Sequence, residues 1–195
     1  MPSTTHRRMP LVPALEVVHH LRTAEIVVTS MGVAREWPRI SQHPLDFNYF
    51  PSTMGQPPAL ALGLALAQPQ REVIVFVGDG SLLMNLGCLA TIVAAGATNL
   101  MLIVIDNGVY EVTGGQRTAA AIADVNLPAM AKAAGFRSVE RFDDLADWQS
   151  RAADVFKLPG PRTIVLATEP VRTDFALHIP EPVVDRLRRF QVALK

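Results

Sequence analysis

The chain has 195 residues, equal numbers of basic and acidic side chains (18 Lys and Arg, 18 Asp and Glu) and 49% hydrophobic residues. This length suits one domain, and the zero net charge argues against a nucleic-acid or membrane partner. With 6% aromatic residues, the composition favours buried parallel strands covered by helices. Cys88 is the one cysteine, which excludes a disulfide framework and makes a reducing cytoplasm the expected compartment.

Helical and strand patterns alternate through the first half of the chain. Apolar spacing and Ala/Leu-rich composition predict helices over 14–21, around 34–37 and over 57–67. Short β-branched and aromatic runs predict strands over 25–29, 47–50 and 73–77, with Gly32 in the turn after the first of them. Strand and helix therefore repeat, as they do in proteins with a parallel sheet.

The same alternation continues towards the end of the chain. Helices are predicted over 81–95, 127–134 and 144–156, and strands over 100–105, 137–141 and 163–167, around an irregular stretch at 106–116. We expect an α/β fold in which an open, doubly wound, mostly parallel sheet carries helices on both faces. Residues 1–170 are expected to form this single domain, followed by a tail at 171–195 with an amphipathic helix over 183–194.

One uncharged stretch, 81–105, is long enough to cross a bilayer. It also contains Asn85 and Gly87, and the polar residues near Gly96 mark the place where a helix would end and a strand begin. A buried helix followed by a buried central strand has the same hydropathy. We therefore interpret this stretch as part of the sheet and its covering layer.

The apolar run 73–77 is followed by Gly78-Asp79-Gly80-Ser81 and then by a helix. In an open α/β sheet, ligands bind beyond the carboxyl ends of the strands. Glycines there let the backbone approach an anion, and the free N–H groups of a helix start can bind a phosphate. Asp79 would repel a phosphate unless a cation lies between them, so the motif predicts Mg²⁺ or Ca²⁺ with a phosphorylated ligand. By itself, Gly-Asp-Gly is also a common turn sequence.

A second polar motif follows the next predicted strand. Asp106-Asn107-Gly108 comes directly after that strand, and 25 residues separate Gly80 from Asp106. Such a spacer accommodates one helix and one strand, so a right-handed crossover would make the two strand ends neighbours. Asp79 and the side-chain oxygen of Asn107 would then lie within reach of one cation, although Asp-Asn-Gly alone is again typical of a turn.

Together, these motifs resemble the cofactor motif of thiamine-diphosphate-dependent enzymes, in the domain that binds the diphosphate. Further stretches are similar to the separate β subunit of sulfopyruvate decarboxylase and to the corresponding part of phosphonopyruvate decarboxylase, and they lie at 52–55, 84–87 and 110–116. The resemblance has specific motifs from about 26 to 116 and covers the C-terminal third by general pattern alone. It implies the thiamine-diphosphate-binding fold, in agreement with the expected fold class.

The resemblance implies a site for Mg²⁺ and thiamine diphosphate. Asp79, the Asn107 side chain and the Val109 carbonyl would be the metal ligands. Two diphosphate oxygens and a water would complete the octahedron that Mg²⁺ demands. Gly80 and Ser81 would donate hydrogen bonds to the diphosphate at the start of the helix.

Other cofactor contacts implied by the resemblance lie outside the two motifs. Met54 matches the bulky apolar residue that separates the two rings of the cofactor, and the Ser52 carbonyl would accept from the pyrimidine amino group. Taken alone, Met54 also fits a core methionine. The remaining residues expected at the cofactor are Gly32, Val33, Gly55, Gly78, Tyr110 and Glu111. The cofactor would hold the electrons that remain when a 2-oxo acid loses CO₂.

The chain departs from the family pattern at several positions. The first residue of the Asn-Asn pair common in these enzymes is Asp106, which adds negative charge beside the metal. Near Gly32 the family tends to have a hydroxyl residue where this chain has Val33-Ala34, so diphosphate contacts there would fall to backbone N–H groups with weaker affinity. Tyr110 and Asn85 stand where phosphonopyruvate decarboxylases tend to have histidine, which favours the sulfopyruvate type.

The catalytic residue itself is not assigned to this chain. Enzymes of this family activate the cofactor through a glutamate on a second, pyrimidine-binding domain, for which 195 residues leave no room. The resemblance therefore implies one subunit of a dimer or hetero-oligomer. Its active site would lie at the interface with a separate, α-type subunit that supplies the glutamate, and apolar surface around Met54 would belong to that interface.

Two functions from different classes stay open at this point. The first is a decarboxylase subunit acting on a small anionic 2-oxo acid such as sulfopyruvate or phosphonopyruvate, and the second is a non-catalytic cofactor-binding or assembly module. A Rossmann dehydrogenase is disfavoured because no Gly-x-Gly-x-x-Gly follows a strand. Arg35 and Arg117 could bind the substrate anion or lie at the surface, and His43 is interpreted as a loop residue rather than an acid-base group.

Overall fold

The structure is a computed structural model that describes residues 7–49, 53–171 and 182–195. Its strands are β1 Ile26–Thr29, β2 Asp46–Asn48, β3 Val73–Gly78, β4 Leu100–Asp106, β5 Val109–Tyr110, β6 Gln116–Arg117, β7 Ser138–Phe142 and β8 Arg162–Ala167. Six of them form one parallel sheet in the order β2-β1-β3-β4-β8-β7. The other two, β5 and β6, form a small antiparallel pair.

Helices cover both faces of the six-stranded sheet. They are α1 Leu11–Leu21, α2 Met31–Ile40, α3 Pro57–Ala67, α4 Asp79–Leu83, α5 Cys88–Ala94, α6 Ala119–Ile122, α7 Leu127–Ala134, α8 Leu145–Val155 and α9 Val183–Ala193, with a 3-10 turn at Glu111–Thr113. In β3, Val75 and Val77 belong to the core on the side of α3 and α5, whereas Ile74 and Phe76 belong to the core on the side of α1 and α2. Burial of both faces explains the continuous apolar strand sequences and confirms the predicted fold class.

The single helix predicted over 81–95 is wrong. The chain ends α4 at Leu83, turns, and begins α5 at Cys88. Asn85 in this turn donates from Nδ2 to the Gly55 carbonyl at 3.0 Å. Asn and Gly are weak helix formers, so this tertiary contact overrides the apolar pattern on either side. Within the described ranges, no helix is long and apolar enough to cross a membrane.

Other element boundaries shift by a few residues. Helix α2 continues to Ile40 instead of ending near Trp37. The strand predicted over 47–50 is the shorter β2, and residue 50 lies outside the described ranges. The stretch 106–116, expected to be irregular, contains β5 and the 3-10 turn, and the short helix α6 follows although the sequence did not predict it.

The C-terminal helix α9 packs against the edge strand β2. The ring centroids of Phe190 and Phe47 lie 5.0 Å apart. Arg186 donates from Nη1 to the Asn48 carbonyl at 2.8 Å. The helix therefore covers an edge that would otherwise expose unpaired backbone groups. The division of the chain into a domain at 1–170 and a tail at 171–195 stays a prediction.

Candidate functional site

A cleft opens at the carboxyl ends of β1, β3 and β4. From β1 the chain moves to one side of the sheet to form β2 and then to the other side to form β3, so the strand order reverses at this point. Open α/β sheets bind ligands at such a reversal. Strands β3 and β4 pair in parallel with Gly78 opposite Ile105. The prediction that the two polar motifs follow neighbouring strands is therefore confirmed.

The cleft collects almost all the residues predicted at the cofactor. Those that line it are Gly32, Val33, Met54, Gly78, Asp79, Gly80, Ser81, Asn107, Val109, Tyr110 and Glu111. Gly55 is buried beside the cleft, where its N–H donates to Oγ of Ser81 at 2.9 Å. Ser52 lies outside the described residues, so its carbonyl contact stays a prediction.

Asp79 is a buried carboxylate at the base of the cleft. It is 1% exposed and is the first residue of α4. Burial raises its pKa to about 6, whereas the hydroxyl of Thr118, which donates to Oδ2 at 2.5 Å, and the Gly80 N–H act to lower it. An ionised carboxylate in such a place costs free energy unless a cation offsets its charge. Asp79 therefore fits a metal ligand.

The turn after β4 brings further oxygen atoms to the same cleft. Oδ1 of Asn107 accepts from the Val109 N–H at 3.0 Å, and Gly108 between them has φ 74°. An amide oxygen keeps a second lone pair when it accepts one hydrogen bond. Among the described residues, no group of three or more His, Cys, Asp or Glu side chains could hold a metal ion. A cation here would thus need amide and carbonyl oxygens beside Asp79, a ligand set that suits a hard divalent cation such as Mg²⁺ or Ca²⁺.

Gly80 and the ring of Tyr110 are in such close contact that residue 80 must be glycine. A Cβ atom at this position would overlap Cε1 of the ring and would lie 2.9 Å from Cγ2 of Thr118. Glycine at this position therefore makes room for the Tyr110 ring and for Thr118 beside the first turn of α4.

A second carboxylate, Glu111, also lies in the cleft. Its side chain is buried, and Oε1 accepts from the Val171 N–H at 2.7 Å. The other oxygen, Oε2, faces Gly32, where a Cβ atom would lie 2.5 Å from it. The absence of a side chain at Gly32 makes room for this carboxylate. A phosphate that binds beside Gly32 would therefore meet its negative charge.

The sequence analysis missed several residues of the site, among them Ser30, Met31 and Thr118. Thr118 holds Asp79, and Ser30 donates from Oγ to the Phe76 carbonyl at 2.9 Å, which ties the end of β1 to β3. Met31 lines the cleft with φ 51°, a conformation that residues with a side chain rarely adopt. Ser30 directly follows a predicted strand, and this position could have placed it at the site. The sequence around Thr118 and Met31 contains no comparable signal.

Three residues considered for substrate or proton contacts lie outside the cleft. Arg35 is buried in α2, and its Nε lies 2.8 Å from the Glu36 carboxylate. Arg117 is exposed and lines a neighbouring pocket. His43 belongs to the loop before β2, where burial and the Arg22 guanidinium lower its pKa. This position agrees with the interpretation of His43 as a loop residue.

Comparison with known families agrees with this geometry. Residues 28–166 match the family described as thiamine pyrophosphate enzyme, C-terminal TPP binding domain. The chain belongs to this family. The resemblance seen in the sequence motifs is therefore confirmed. A solved structure from Mycobacterium smegmatis, described as that of a thiamin diphosphate-dependent enzyme, shares the fold of this chain with a TM-score of 0.67. The two are 20% identical, and the match covers 84% of this chain and 32% of that one.

Two kinds of decarboxylase are among the curated relatives of this TPP-binding domain. Phosphonopyruvate decarboxylase of Streptomyces viridochromogenes is 40% identical over 153 residues, which are 78% of this chain and 38% of the relative. Sulfopyruvate decarboxylase subunit beta of Methanothermobacter thermautotrophicus is 38% identical over 175 residues, which are 89% of this chain and 86% of the relative. The chain thus spans less than half the length of the first relative and most of the second.

Proposed function

We propose that the chain is the β-type, diphosphate-binding subunit of a decarboxylase that depends on thiamine diphosphate and Mg²⁺. Its substrate would be a small anionic 2-oxo acid such as sulfopyruvate or phosphonopyruvate. The observation that carries the proposal is the buried, raised-pKa carboxylate of Asp79 facing the Asn107–Val109 turn across a cleft at the strand-order reversal. Likeness to the sulfopyruvate decarboxylase β subunits over most of their length supports it further.

Each residue of the cleft then has a specific task. Asp79, the Asn107 amide oxygen and the Val109 carbonyl would hold Mg²⁺ against the diphosphate. Gly80 and Ser81 would donate to the diphosphate oxygens at the start of α4. When bound, the cofactor supplies the electron sink on which the 2-oxo acid loses CO₂.

Met54 would act on the rings of the cofactor rather than on its diphosphate. It lines the cleft and is half-buried. An adaptable thioether there could fill the space between the two rings and keep water from the reacting carbon. Gly55 supports this position through its N–H bond to Ser81 and through its carbonyl, which accepts from Asn85.

The proposal includes a separate, pyrimidine-binding subunit of the α type. The carboxylates that line the cleft in the described part of the chain are Asp79 and Glu111, and the first is assigned to the metal. The second faces Gly32 and accepts from the Val171 N–H, so the activating glutamate would come from the partner, in a dimer or hetero-oligomer. Relatives named "subunit beta" support such an assembly. The lone buried thiol of Cys88 supports a reducing, cytoplasmic setting.

Tyr110 and Asn85 favour a sulfopyruvate-type substrate within this proposal. Tyr110 lines the cleft, and Asn85 is bound to the Gly55 carbonyl beside it. Two uncharged side chains suit a sulfonate, which carries a single negative charge, better than a phosphonate, which takes up a second negative charge near neutral pH. The comparison of these two substrates therefore belongs in the first assay.

Reconstitution with the partner subunit tests the proposed activity. CO₂ release from sulfopyruvate, phosphonopyruvate and pyruvate would be measured with thiamine diphosphate and Mg²⁺ present. We expect turnover of an anionic 2-oxo acid by the complex, its loss in Asp79→Asn, and its retention in Asp154→Asn, a control on the exposed face of α8. Ordinary turnover by the chain without any partner would show that the split-site proposal is wrong.

A non-catalytic binding module is the second candidate, and Glu111 is the observation that favours it. Its carboxylate occupies the space beside Gly32, where a diphosphate would otherwise approach the backbone. If the complex with the partner subunit releases no CO₂ from any of the three acids, this second function replaces the first. The chain is then a cofactor-binding module if it binds thiamine diphosphate, and an assembly module if it binds none even with Glu111→Gln.

A further inference from the structure

Asp106, the last residue of β4, is held between two arginines from distant parts of the chain. Arg141 on β7 reaches across β8, and its Nη1 donates to Oδ2 at 2.9 Å. Nη2 of Arg8 lies 3.8 Å from Oδ1. Nη1 of Arg8 also donates to the main-chain carbonyl of Asp106 and, at 3.0 Å, to that of Thr168. Each carboxylate oxygen of Asp106 therefore faces a guanidinium.

The N-terminal segment brings Arg8 to this place. Met9 forms an isolated parallel bridge with Thr168, and its N–H donates to the Ala167 carbonyl at 2.9 Å. Beside this bridge, Arg8 lies over Gly108, where a Cβ atom would be 3.2 Å from Nη2. Arg8 thus lies against the turn after β4 at two points, the carboxylate of Asp106 and the backbone of Gly108.

The turn held in this way carries two of the proposed metal ligands. Asp106 immediately precedes Asn107, and a carboxylate without a cationic partner there would compete for a divalent ion. The charges of Asp106 and Arg8 both reach Asp79 across the cleft. Pairing with Arg8 and Arg141 neutralises Asp106 and directs it away from the metal.

We propose that Arg8, Asp106 and Arg141 form a clamp that fixes the turn after β4 and makes the site selective for Mg²⁺ over Ca²⁺. The inference rests on the proposed function, because it needs a cation between Asp79 and Asn107. Mg²⁺ demands near-ideal octahedral geometry at short distances, whereas Ca²⁺ accepts longer and more variable ones. A fixed turn therefore suits Mg²⁺, whereas a loosened turn also admits Ca²⁺. The three clamp residues do not touch the metal and are positioning residues.

Amide hydrogen exchange on the chain without cofactor tests the clamp itself. Asp106→Asn and Arg141→Met remove one partner each, and Arg151→Met is the matched control. Arg151 also pairs with a carboxylate of β7, that of Glu140, at 2.8 Å. Its ion pairs within the described ranges are with Glu140 and Asp147, and none is with Asp106. We expect faster exchange over residues 106–118 in the first two variants and unchanged exchange in the control. If hydrogen exchange over residues 106–118 has the same rate in all three variants, the clamp is overturned.

Affinity for thiamine diphosphate, measured with either Mg²⁺ or Ca²⁺, tests the selectivity. Residues that orient metal ligands without touching the ion typically contribute about tenfold or more in affinity. We expect the affinity of Asp106→Asn and of Arg141→Met for thiamine diphosphate to fall about tenfold with Mg²⁺ and clearly less with Ca²⁺. The double variant should bind no more weakly than the weaker single one, because both changes break the same contact.

The outcomes separate the clamp from the proposed function. Equal losses of cofactor affinity with Mg²⁺ and with Ca²⁺ would indicate general damage to the site and would overturn the proposed selectivity for Mg²⁺. Arg141→Lys keeps the charge but loses the planar guanidinium with its paired N–H donors. Its affinity for thiamine diphosphate with Mg²⁺ should therefore lie between that of the wild-type chain and that of Arg141→Met. A wild-type chain that binds no cofactor with either cation, even in complex with its partner subunit, would overturn the proposed function and with it the selectivity. Faster exchange in the variants would still support the clamp as a structural feature.

Discussion

The hydroxyl of Thr118 donates to Oδ2 of Asp79 at 2.5 Å, although the two residues are 39 positions apart in the chain. Thr118 is fully buried and is also the N-cap of α6, where its Oγ1 accepts from the Ala121 N–H. One side chain thus connects the proposed metal ligand to the helix that follows the β5-β6 hairpin. The carboxylate would otherwise be free to rotate within its pocket.

Thr118→Val should therefore weaken both the fold and the site. The substitution keeps the shape but leaves Asp79 without its hydroxyl donor and α6 without its cap, and we expect a loss of about 1–3 kcal/mol in the free energy of unfolding. Urea unfolding measures this loss, with Thr91→Val on the exposed side of α5 as the control. An unchanged midpoint would show that the short contact contributes nothing to stability.

The raised pKa of Asp79 predicts the pH dependence of stability. The folded chain holds a proton on this carboxyl up to about pH 6, while the unfolded chain releases it near 3.8. Stability without cofactor should therefore be fully present below that lower value and fall by about 3 kcal/mol as the pH rises to 6. In Asp79→Asn this fall should disappear, because the amide does not titrate. Urea unfolding between pH 4 and 7 compares the two proteins, and parallel curves would contradict the assignment.

Gly80→Ala should destabilise the chain mainly through overlap with the Tyr110 ring. The added methyl group would overlap the ring, and overpacking of this kind costs about 1–3 kcal/mol. Gly63→Ala is the control: that glycine lies in α3 with open space around it, so alanine should stabilise by about 0.5–1 kcal/mol. Urea unfolding of both is the measurement. Recovery of stability in a Gly80→Ala, Tyr110→Ala double variant would identify the ring as the cause.

Glu111→Gln should strengthen binding of thiamine diphosphate. The amide can still accept from the Val171 N–H, but it removes a negative charge that faces Gly32 inside the cleft. We expect the dissociation constant to fall by about fivefold, as removal of one unit of like charge at short range allows. Calorimetric titration with Mg²⁺ present measures it, and Glu169→Gln, on the exposed surface, is the control. Weaker binding in Glu111→Gln would mean that the carboxylate supports the cofactor instead.

Phe190→Ala should release α9 from the sheet. The ring is 5% exposed and packs on Phe47 of β2, so its removal should cost about 3–5 kcal/mol. Val192→Ala on the same helix removes a side chain that is 70% exposed and should change little. Thermal unfolding of both variants gives the comparison, and equal melting temperatures would show that the helix does not stabilise the domain.

Much of the fold could be predicted from local patterns. Continuous apolar runs indicated strands buried on both faces, and Gly78-Asp79-Gly80 and Asp106-Asn107 stood directly after two of them. Parallel pairing of β3 and β4 then brought the motifs to one edge, because the crossover through α4 and α5 returns the chain to the neighbouring strand. These features depend on periodicity and spacing along a short piece of chain, which are visible without coordinates.

Contacts between distant segments could be found only in three dimensions. The break between α4 and α5 follows from a bond between Asn85 and Gly55, and the partner of Asp79 is Thr118. Asp106, which the sequence marks only as an extra charge beside the metal, is paired with Arg8 and Arg141. Periodicity reports which side of an element is buried, whereas these pairings arise when packing brings polar atoms from remote parts of the chain within hydrogen-bond distance.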